Sequence, residues 1–391
     1  MKRFVIRKME EIKNLKKAAA RILEAINKKE KIILYGDADL DGITSVIILK
    51  ETLKNLNGQI TAIYFPDREK EGYGITETGL NNLKKFSPAL LIVFDLGIGN
   101  FKEVKLAQKM GLNVIIIDHH QILDKLPEAE IIVNPKQKGD KYDFKKLATV
   151  GLAFKLSEEL LEKRMTDCLR KSFLELTAIA TLADLMPRES ENETMIQEGL
   201  SSLENSWRPG IKIFFDLLDW QNFDNIEQKV SKIISILNIR DVENNLPAGY
   251  RLLTASNFNE TKKIFDKLLI KTEQRKIRVR EITAEAEERI FQKEEPIIFE
   301  GDSNWEVALI PSLSSFFCQK YQKPTFIFKK LEKESQGTVR TPTGIDSVAL
   351  MKKCKKYLLT FGGHAKASGF RIKNENLEKF KECLVKNLCE K

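Results

Sequence analysis

Short β-branched apolar runs alternate with amphipathic stretches over the first two hundred residues. Lys31 to Tyr35 (KIILY) predicts a buried strand, followed by a turn and a helix from Ile43 to Leu56. Further strands are predicted at Thr61 to Phe65, Ala89 to Phe94, Asn113 to Ile117 and Glu130 to Val133, with a helix at Phe101 to Met110. Strands separated by helical patterns imply right-handed crossovers and a mostly parallel sheet. From Ala148 to Ala183 the apolar spacing turns to three and four, and residues 195–295 also read as helical. Thr261 to Phe291 lacks breakers and keeps Ile264, Leu268, Ile277 and Ile282 near helical spacing, so it predicts a long connecting helix. Pro296 opens a second α/β pattern, with strands at Ile297 to Phe299, Glu306 to Ile310 and Thr325 to Phe328 and a helix between them. The expected organisation is a domain over 1–200, a helical region over 201–294 and a second α/β domain over 295–391, with a cleft between the lobes as the default site.

Composition narrows this picture. At 391 residues, 42% hydrophobic and 31% charged, the chain reads as two or three folded domains. No apolar run approaches the roughly 20 residues of a membrane-spanning helix. Met1-Lys2-Arg3 shows no signal-peptide pattern, so a soluble, cytoplasmic protein without a membrane role is expected. The net charge of +9 fits a Lys-rich solvated surface as well as a nucleic-acid footprint. Five dispersed cysteines without C-x-x-C argue against a disulfide framework and a zinc site.

Candidate chemistry collects at predicted strand ends. The first strand runs into Gly36-Asp37-Ala38-Asp39-Leu40-Asp41-Gly42. Carboxylates at alternate positions of a tight turn repel unless cations neutralise them. An EF-hand loop is excluded, because the bidentate Glu position is occupied by Ile48 and a strand precedes the loop. Asp95 follows the third strand and Asp118-His119-His120 the fourth, while Asp184 ends the apolar run TAIATLAD. A lone strand-end aspartate is usually a cap, but two adjacent histidines in a chain with only three are harder to dismiss. Oxygen-rich ligation with a minor nitrogen share suits two Mn²⁺ or Mg²⁺ ions. Such a pair, about 3.5–4 Å apart, serves phosphoester hydrolysis. The remaining histidine, His364, sits in FGGHAKASG, where Gly362 and Gly363 predict an anion-binding loop.

GDADLDGITS, FDLG, DHH and LADLMP resemble the motifs of the DHH phosphoesterases, and GGHAKASGF resembles the signature of their C-terminal DHHA1 domain. Within that superfamily the chain is similar to the RecJ-like branch of single-strand-specific exonucleases. Pro66-Asp67-Arg68, Glu71-Gly72-Tyr73-Gly74, Val133-Asn134-Pro135 and VGLAFK at 150–155 extend the resemblance. It implies an N-terminal doubly wound parallel-sheet DHH domain joined by a long helix to a smaller α/β DHHA1 domain. It further implies Asp37, Asp39, Asp41, Asp95, His119 and Asp184 as metal ligands, Asp95 bridging two ions. His120 would contact the scissile phosphate, and Asp118 would orient the histidines. Arg340 and the Gly362-Gly363-His364 loop would hold the substrate's phosphate and terminal nucleotide, with Arg68 and Tyr73 as backbone or base contacts. The chain departs from the pattern at Tyr35, where many relatives carry His, and at Ser315-Phe316-Phe317, in place of a Ser-Arg-Leu step. Bacterial RecJ proteins are longer and carry an OB-fold, so the resemblance points to short archaeal relatives and to 3′→5′ polarity.

The implied function is a Mn²⁺- or Mg²⁺-dependent exonuclease on single-stranded DNA or RNA, in repair or replication. Its alternatives are a phosphodiesterase for short oligonucleotides or cyclic dinucleotides, and a partner subunit of a replication or helicase complex. Retention of every motif carboxylate and both DHH histidines favours an enzyme over a scaffold.

Overall fold

A computed structural model describes residues 11–68, 70–122, 125–291 and 295–389. Met1-Lys2-Arg3 lies outside the described residues. The chain divides into two compact units, the first ending at Leu269 and the second beginning at Ile270.

The first unit opens with α1 (Leu15–Asn27), β1 (Ile32–Gly36), α2 (Leu40–Asn55), β2 (Ile60–Tyr64) and α3 (Glu77–Leu83). It continues through β3 (Ala89–Phe94), α4 (Phe101–Lys109), β4 (Leu112–Ile117) and β5 (Ile131–Val133). The strands pair in parallel in the order β2-β1-β3-β4-β5. Every residue of β1 and β3 is buried, because helices cover both faces. Ile32 and Leu34 pack into one core, and Ile33 and Tyr35 into the other, as the period of two requires. The sheet is therefore doubly wound. Because β1 leads by way of α2 to one side and β3 leads to β4 on the other, the topological switch point opens between β1 and β3.

The helices that follow are α5 (Thr149–Leu161), α6 (Asp167–Ala183), α7 (Ser190–Ser202), α8 (Pro209–Leu217) and α9 (Ile226–Leu237). The strand pair β6 (Val242–Glu243) and β7 (Leu246–Pro247) leads into α10 (Ala248–Thr254). The helices beyond residue 201 share the core beneath α2 and α5: Ile211, Phe214, Val230, Ile233 and Leu252 are buried in it with Leu34 and Ile47. Buried Arg208 ties these layers. It grips Glu51 of α2 with two bonds of 2.7 and 3.0 Å and donates to Ser172 of α6 and to the Leu253 carbonyl. Truncation would leave the Glu51 carboxylate, 21% exposed, without its partner and the buried Ser172 hydroxyl and Leu253 carbonyl without a donor. Arg208→Ala is therefore expected to lose about 2–3 kcal/mol of stability in urea unfolding. A loss below about 1 kcal/mol would show that solvent reaches the pair.

The 34-residue helix α11 (Phe258–Phe291) carries the chain into the second unit. There β8 (Ile298–Asp302), α12 (Ile310–Tyr321), β9 (Thr325–Lys330), β10 (Glu334–Arg340) and α13 (Ser347–Lys353) precede β11 (Leu358–His364), β12 (Ala367–Lys373) and α14 (Leu377–Cys389). The sheet order is β11-β12-β10-β9-β8, antiparallel except between β8 and β9. Phe299, Phe326, Phe328, Phe370 and Phe380 fill one face, and Ile282, Trp305, Phe317 and Ile327 the other.

Three expectations need correction. Glu306 to Ile310 is not a strand: it is a turn that starts α12, where Pro311 occupies the first helical turn as its missing N–H allows. Gly362-Gly363-His364 is not a loop but the end of strand β11, paired with β12. Among the cysteines, Cys354 and Cys383 form a disulfide, because α13 and α14 bring their Cα atoms to 6.0 Å.

Candidate metal centre

Three strands of the central sheet, β1, β3 and β4, each hand their last hydrogen bond to an aspartate. Asp37 N–H donates to the Phe94 carbonyl, Asp95 N–H to Ile117 and Asp118 N–H to Val133, at 3.2, 3.0 and 3.1 Å. The three residues thus leave β1, β3 and β4 in step at the switch point. Asp95 takes this position with φ 63°, a left-handed conformation that Asp tolerates better than most residues. Such backbone strain gathers where a side chain must be aimed.

The Asp37 loop turns straight into α2. Asp39 caps that helix through the Gly42 N–H, and Asp41 lies in its first turn. Asp41 is held from across the fold: Thr149 N–H donates to one oxygen at 2.9 Å and Val150 N–H to the other at 2.7 Å. The N-terminus of α5 therefore presents its unpaired amides to a carboxylate, as helix starts favour. Thr149 also donates its hydroxyl to Asp95 at 3.0 Å.

The two histidines are oriented differently. His119 Nδ1 lies 3.0 Å from the Leu147 carbonyl, which can only accept, so the proton sits on Nδ1. Its Nε2 then faces Asp41, Asp95 and Asp184 at 3.6, 3.4 and 3.4 Å. Asp184, at the end of α6, buries an oxygen that has no hydrogen-bond partner among the described residues. His120 donates Nδ1–H to Asp118 at 2.8 Å, and Asp118 also receives the amides of His120 and Ile98. Asp118 thus orients His120, while a backbone carbonyl orients His119.

Electrostatics follow from this crowding. Burial pushes Asp41 and Asp95 well above the ordinary carboxylate range, and the neighbouring aspartates push further. Asp184 rises to about 7, through burial and then Asp39, against the pull of His120. Burial would depress His120, but Asp118 outweighs it and lifts the ring to about 9. Burial raises Asp37 against Arg68, whereas at Asp39 the Arg68 charge and the Gly42 amide outweigh burial and hold it low.

These groups fit divalent cations. Asp41, His119 and Asp184 bring ligand atoms within 4.8 Å of one another, as do Asp37, Asp39 and Asp95, and likewise Asp95, Asp118 and His120. An imidazole nitrogen turned toward three carboxylates is an acceptor facing acceptors, an arrangement that a shared cation resolves. The donor set, mostly carboxylate with a minor share of imidazole, suits Mn²⁺ or Mg²⁺.

All six expected ligands converge here, and two other predicted residues join them. Arg68 donates Nε–H to Asp37 at 2.8 Å and reaches both Asp37 and Asp39 with one terminal nitrogen. Tyr73 is 57% exposed, stacks its ring over the Arg68 guanidinium and brings its hydroxyl to 3.4 Å from His120 Nε2. In the second unit, Arg340 and His364 flank Ala367 across adjacent strands. Arg340 donates to Ser315, Thr338 and the Val339 carbonyl. Burial lowers its pKa. Of the residues at the departing Ser-Arg-Leu position, Phe317 is buried core and Ser315 accepts from Arg340.

Sequence reasoning missed three supports. Thr149 immediately precedes the VGLAFK stretch, Leu147 contributes only its carbonyl, and Lys136 directly follows Val133-Asn134-Pro135. The Lys136 ammonium bonds the His119 carbonyl, and burial lowers its pKa against the attraction of Asp118, Asp184 and Asp95. Lys136 and Thr149 sit beside motifs already singled out, which was the available signal.

Comparison with known proteins agrees with this architecture. Residues 31–181 match the N-terminal domain of the DHH family, and residues 294–390 match the DHHA1 domain. The single-stranded-DNA-specific exonuclease RecJ of Bacillus subtilis (strain 168) is 34% identical over 373 residues, covering 94% of this chain and 47% of that protein. Its counterpart from Escherichia coli (strain K12) is 25% identical over 399 residues, covering 95% of this chain and 69% of the relative. The chain thus spans about half to about two thirds of the length of these curated relatives. Among solved structures, exonuclease RecJ bound to manganese superposes with a TM-score of 0.74 at 24% identity, over 96% of this chain and 94% of that one. RecJ in complex with Mn²⁺ from Thermus thermophilus gives 0.81 at 22% identity, over 98% of this chain and 56% of that one. Those likenesses concern the fold. With a DHH domain ahead of a DHHA1 domain and similarity to RecJ running along 94% of its length, the chain belongs to the DHH/DHHA1 family as a RecJ-like member.

Proposed function

We propose that this protein is a divalent-cation-dependent exonuclease that hydrolyses phosphodiester bonds of single-stranded DNA. The observation that carries the reading is His119, whose Nδ1 proton is committed to a carbonyl while its Nε2 faces three carboxylates. Asp37, Asp39, Asp41, Asp95, His119 and Asp184 would hold Mn²⁺ or Mg²⁺. Bound there, such cations acidify water and neutralise charge developing at phosphorus.

The chain's own groups do the rest. Asp118 fixes the His120 ring so that Nε2 points away from Asp118, toward the Tyr73 hydroxyl, where it would contact the scissile phosphate. Thr149 and the α5 amides hold Asp95 and Asp41 still, so the ligands need not reorganise during reaction. Arg340, His364 and the Gly362-Gly363 segment would grip a substrate phosphate and terminal nucleotide, and Tyr73 offers an exposed ring for a base to stack on. The net charge of +9 suits a polyanion. We place the activity in cytoplasmic DNA repair or replication, with RNA as a second substrate to be compared.

The test uses single strands labelled at either end, incubated with Mn²⁺, Mg²⁺ or excess EDTA. Mononucleotide release is expected with either metal, and EDTA is expected to lower the rate at least about a thousandfold. Undiminished cleavage in EDTA would end the cation reading, and faster turnover of dinucleotides than of long strands would end the exonuclease reading. The label position decides polarity, where the 3′→5′ direction of short archaeal relatives is the expectation under test.

A further inference from the structure

Arg68 is placed against metal-type ligands rather than out in solvent. Its guanidinium makes a fork on Asp37, with Nε on one oxygen at 2.8 Å and a terminal nitrogen on the other, and that nitrogen also meets Asp39 at 2.8 Å. Asp37 is 1% exposed, so its charge is compensated mainly by this contact and by the Ala38 amide. The two donor groups of the centre are consequently unequal. Asp41, His119 and Asp184 converge with Asp41 and His119 anchored by backbone groups. Lys136 attracts Asp184 from a distance but bonds the His119 carbonyl, and among the described residues no guanidinium forks onto a carboxylate of this group. Asp37 and Asp39, which converge with Asp95, already share the positive charge of Arg68.

We propose that Arg68 is a built-in competitor for the cation held by Asp37 and Asp39, so that the two cation positions load in order. The His119 position fills first and tightly. The Asp37–Asp39 position fills second and more weakly, because its cation must displace the guanidinium from both carboxylates. Charge-assisted forks on a buried carboxylate are among the stronger hydrogen bonds, and their loss is counted against every cation bound there. While on the two carboxylates the guanidinium also lies over the Tyr73 ring, a contact that would hold it near the cation position once displaced. Arg68 is thus a positioning residue that sets the affinity of one metal position and keeps its ligands from repelling one another when no cation is present.

The inference rests on the two-cation reading, and calorimetric titration of Mn²⁺ into the full chain separates the two. Wild type is expected to show a tight and a weak class of sites. Arg68→Gln is expected to tighten the weak class by about tenfold or more and to move the tight class by less than about twofold. Arg68→Lys keeps the charge but loses the fork, so it is expected to tighten the weak class by about threefold. Circular dichroism confirms the fold of each variant, and Arg68→Lys alone carries the test if Arg68→Gln does not fold. A folded variant whose weak class is unchanged, or weaker, overturns the competitor role and leaves the two-cation reading standing. Absence of Mn²⁺ binding to wild type overturns both.

Discussion

Asp95→Asn is expected to lower kcat/KM on single-stranded DNA by about a thousandfold or more while the protein remains folded. Asp95 converges with Asp37 and Asp39 and also lies 3.4 Å from His119 Nε2, so on the proposed reading it would serve both cation positions. Asn is the informative replacement. The residue adopts φ 63°, and Asn accepts the left-handed region about as readily as Asp, whereas Ala would add backbone strain unrelated to metal binding. Mn²⁺ titration run beside the rate measurement should show loss of binding. A variant within tenfold of wild type would remove Asp95 from the centre.

The second large effect is expected at Gly42, from sterics rather than charge. A Cβ there would lie 2.5 Å from the Asp37 carbonyl oxygen, 2.6 Å from its nitrogen and 2.8 Å from its Cα. All three are backbone atoms, so no side chain can swing aside. The first turn of α2, which carries Asp41 and is capped by Asp39, must back away from the Asp37 backbone. Gly42→Ala is therefore expected to cost about 1–3 kcal/mol in urea unfolding. A ligand displacement near 1 Å lowers turnover by about a hundredfold. Wild-type turnover in this variant would show that the loop and helix are not in the close contact described.

The parts of the site that the sequence made legible share one property: chemistry and pattern coincide. The apolar runs of β1, β3 and β4 each stop at an aspartate, so the strand prediction placed Asp37, Asp95 and Asp118 at one edge without knowledge of pairing order. The supports were illegible because they act through groups that carry no pattern. His119 is oriented by a carbonyl 28 residues away, and Asp95 by a threonine hydroxyl 54 residues away. Arg68 showed the same limit: the resemblance implied a backbone or base contact, while its placement on Asp37 is a matter of three dimensions.

Elsewhere, local propensity lost to context. Glycines weaken strands, yet Gly362 and Gly363 extend β11 because Gly369 and Ser368 of β12 lie opposite. The apolar letters of Glu306 to Ile310 suggested a strand, although Pro311 was a readable helix-start signal. The pairing of Cys354 with Cys383 could not be deduced from spacing alone.

The anchoring of Asp41 by α5 has a consequence for the life of the chain before it is complete. The amides that hold this carboxylate arrive 108 and 109 residues after it, and Asp184 arrives later still. Contacts of such separation close only after the intervening chain has been ordered. Synthesis proceeds from the N-terminus, so a ribosome-bound fragment ending before Asp184 holds the DHH histidines and most carboxylates but not the complete cage. On the proposed reading, fragments that end before Asp184 are silent toward the cell's own single strands.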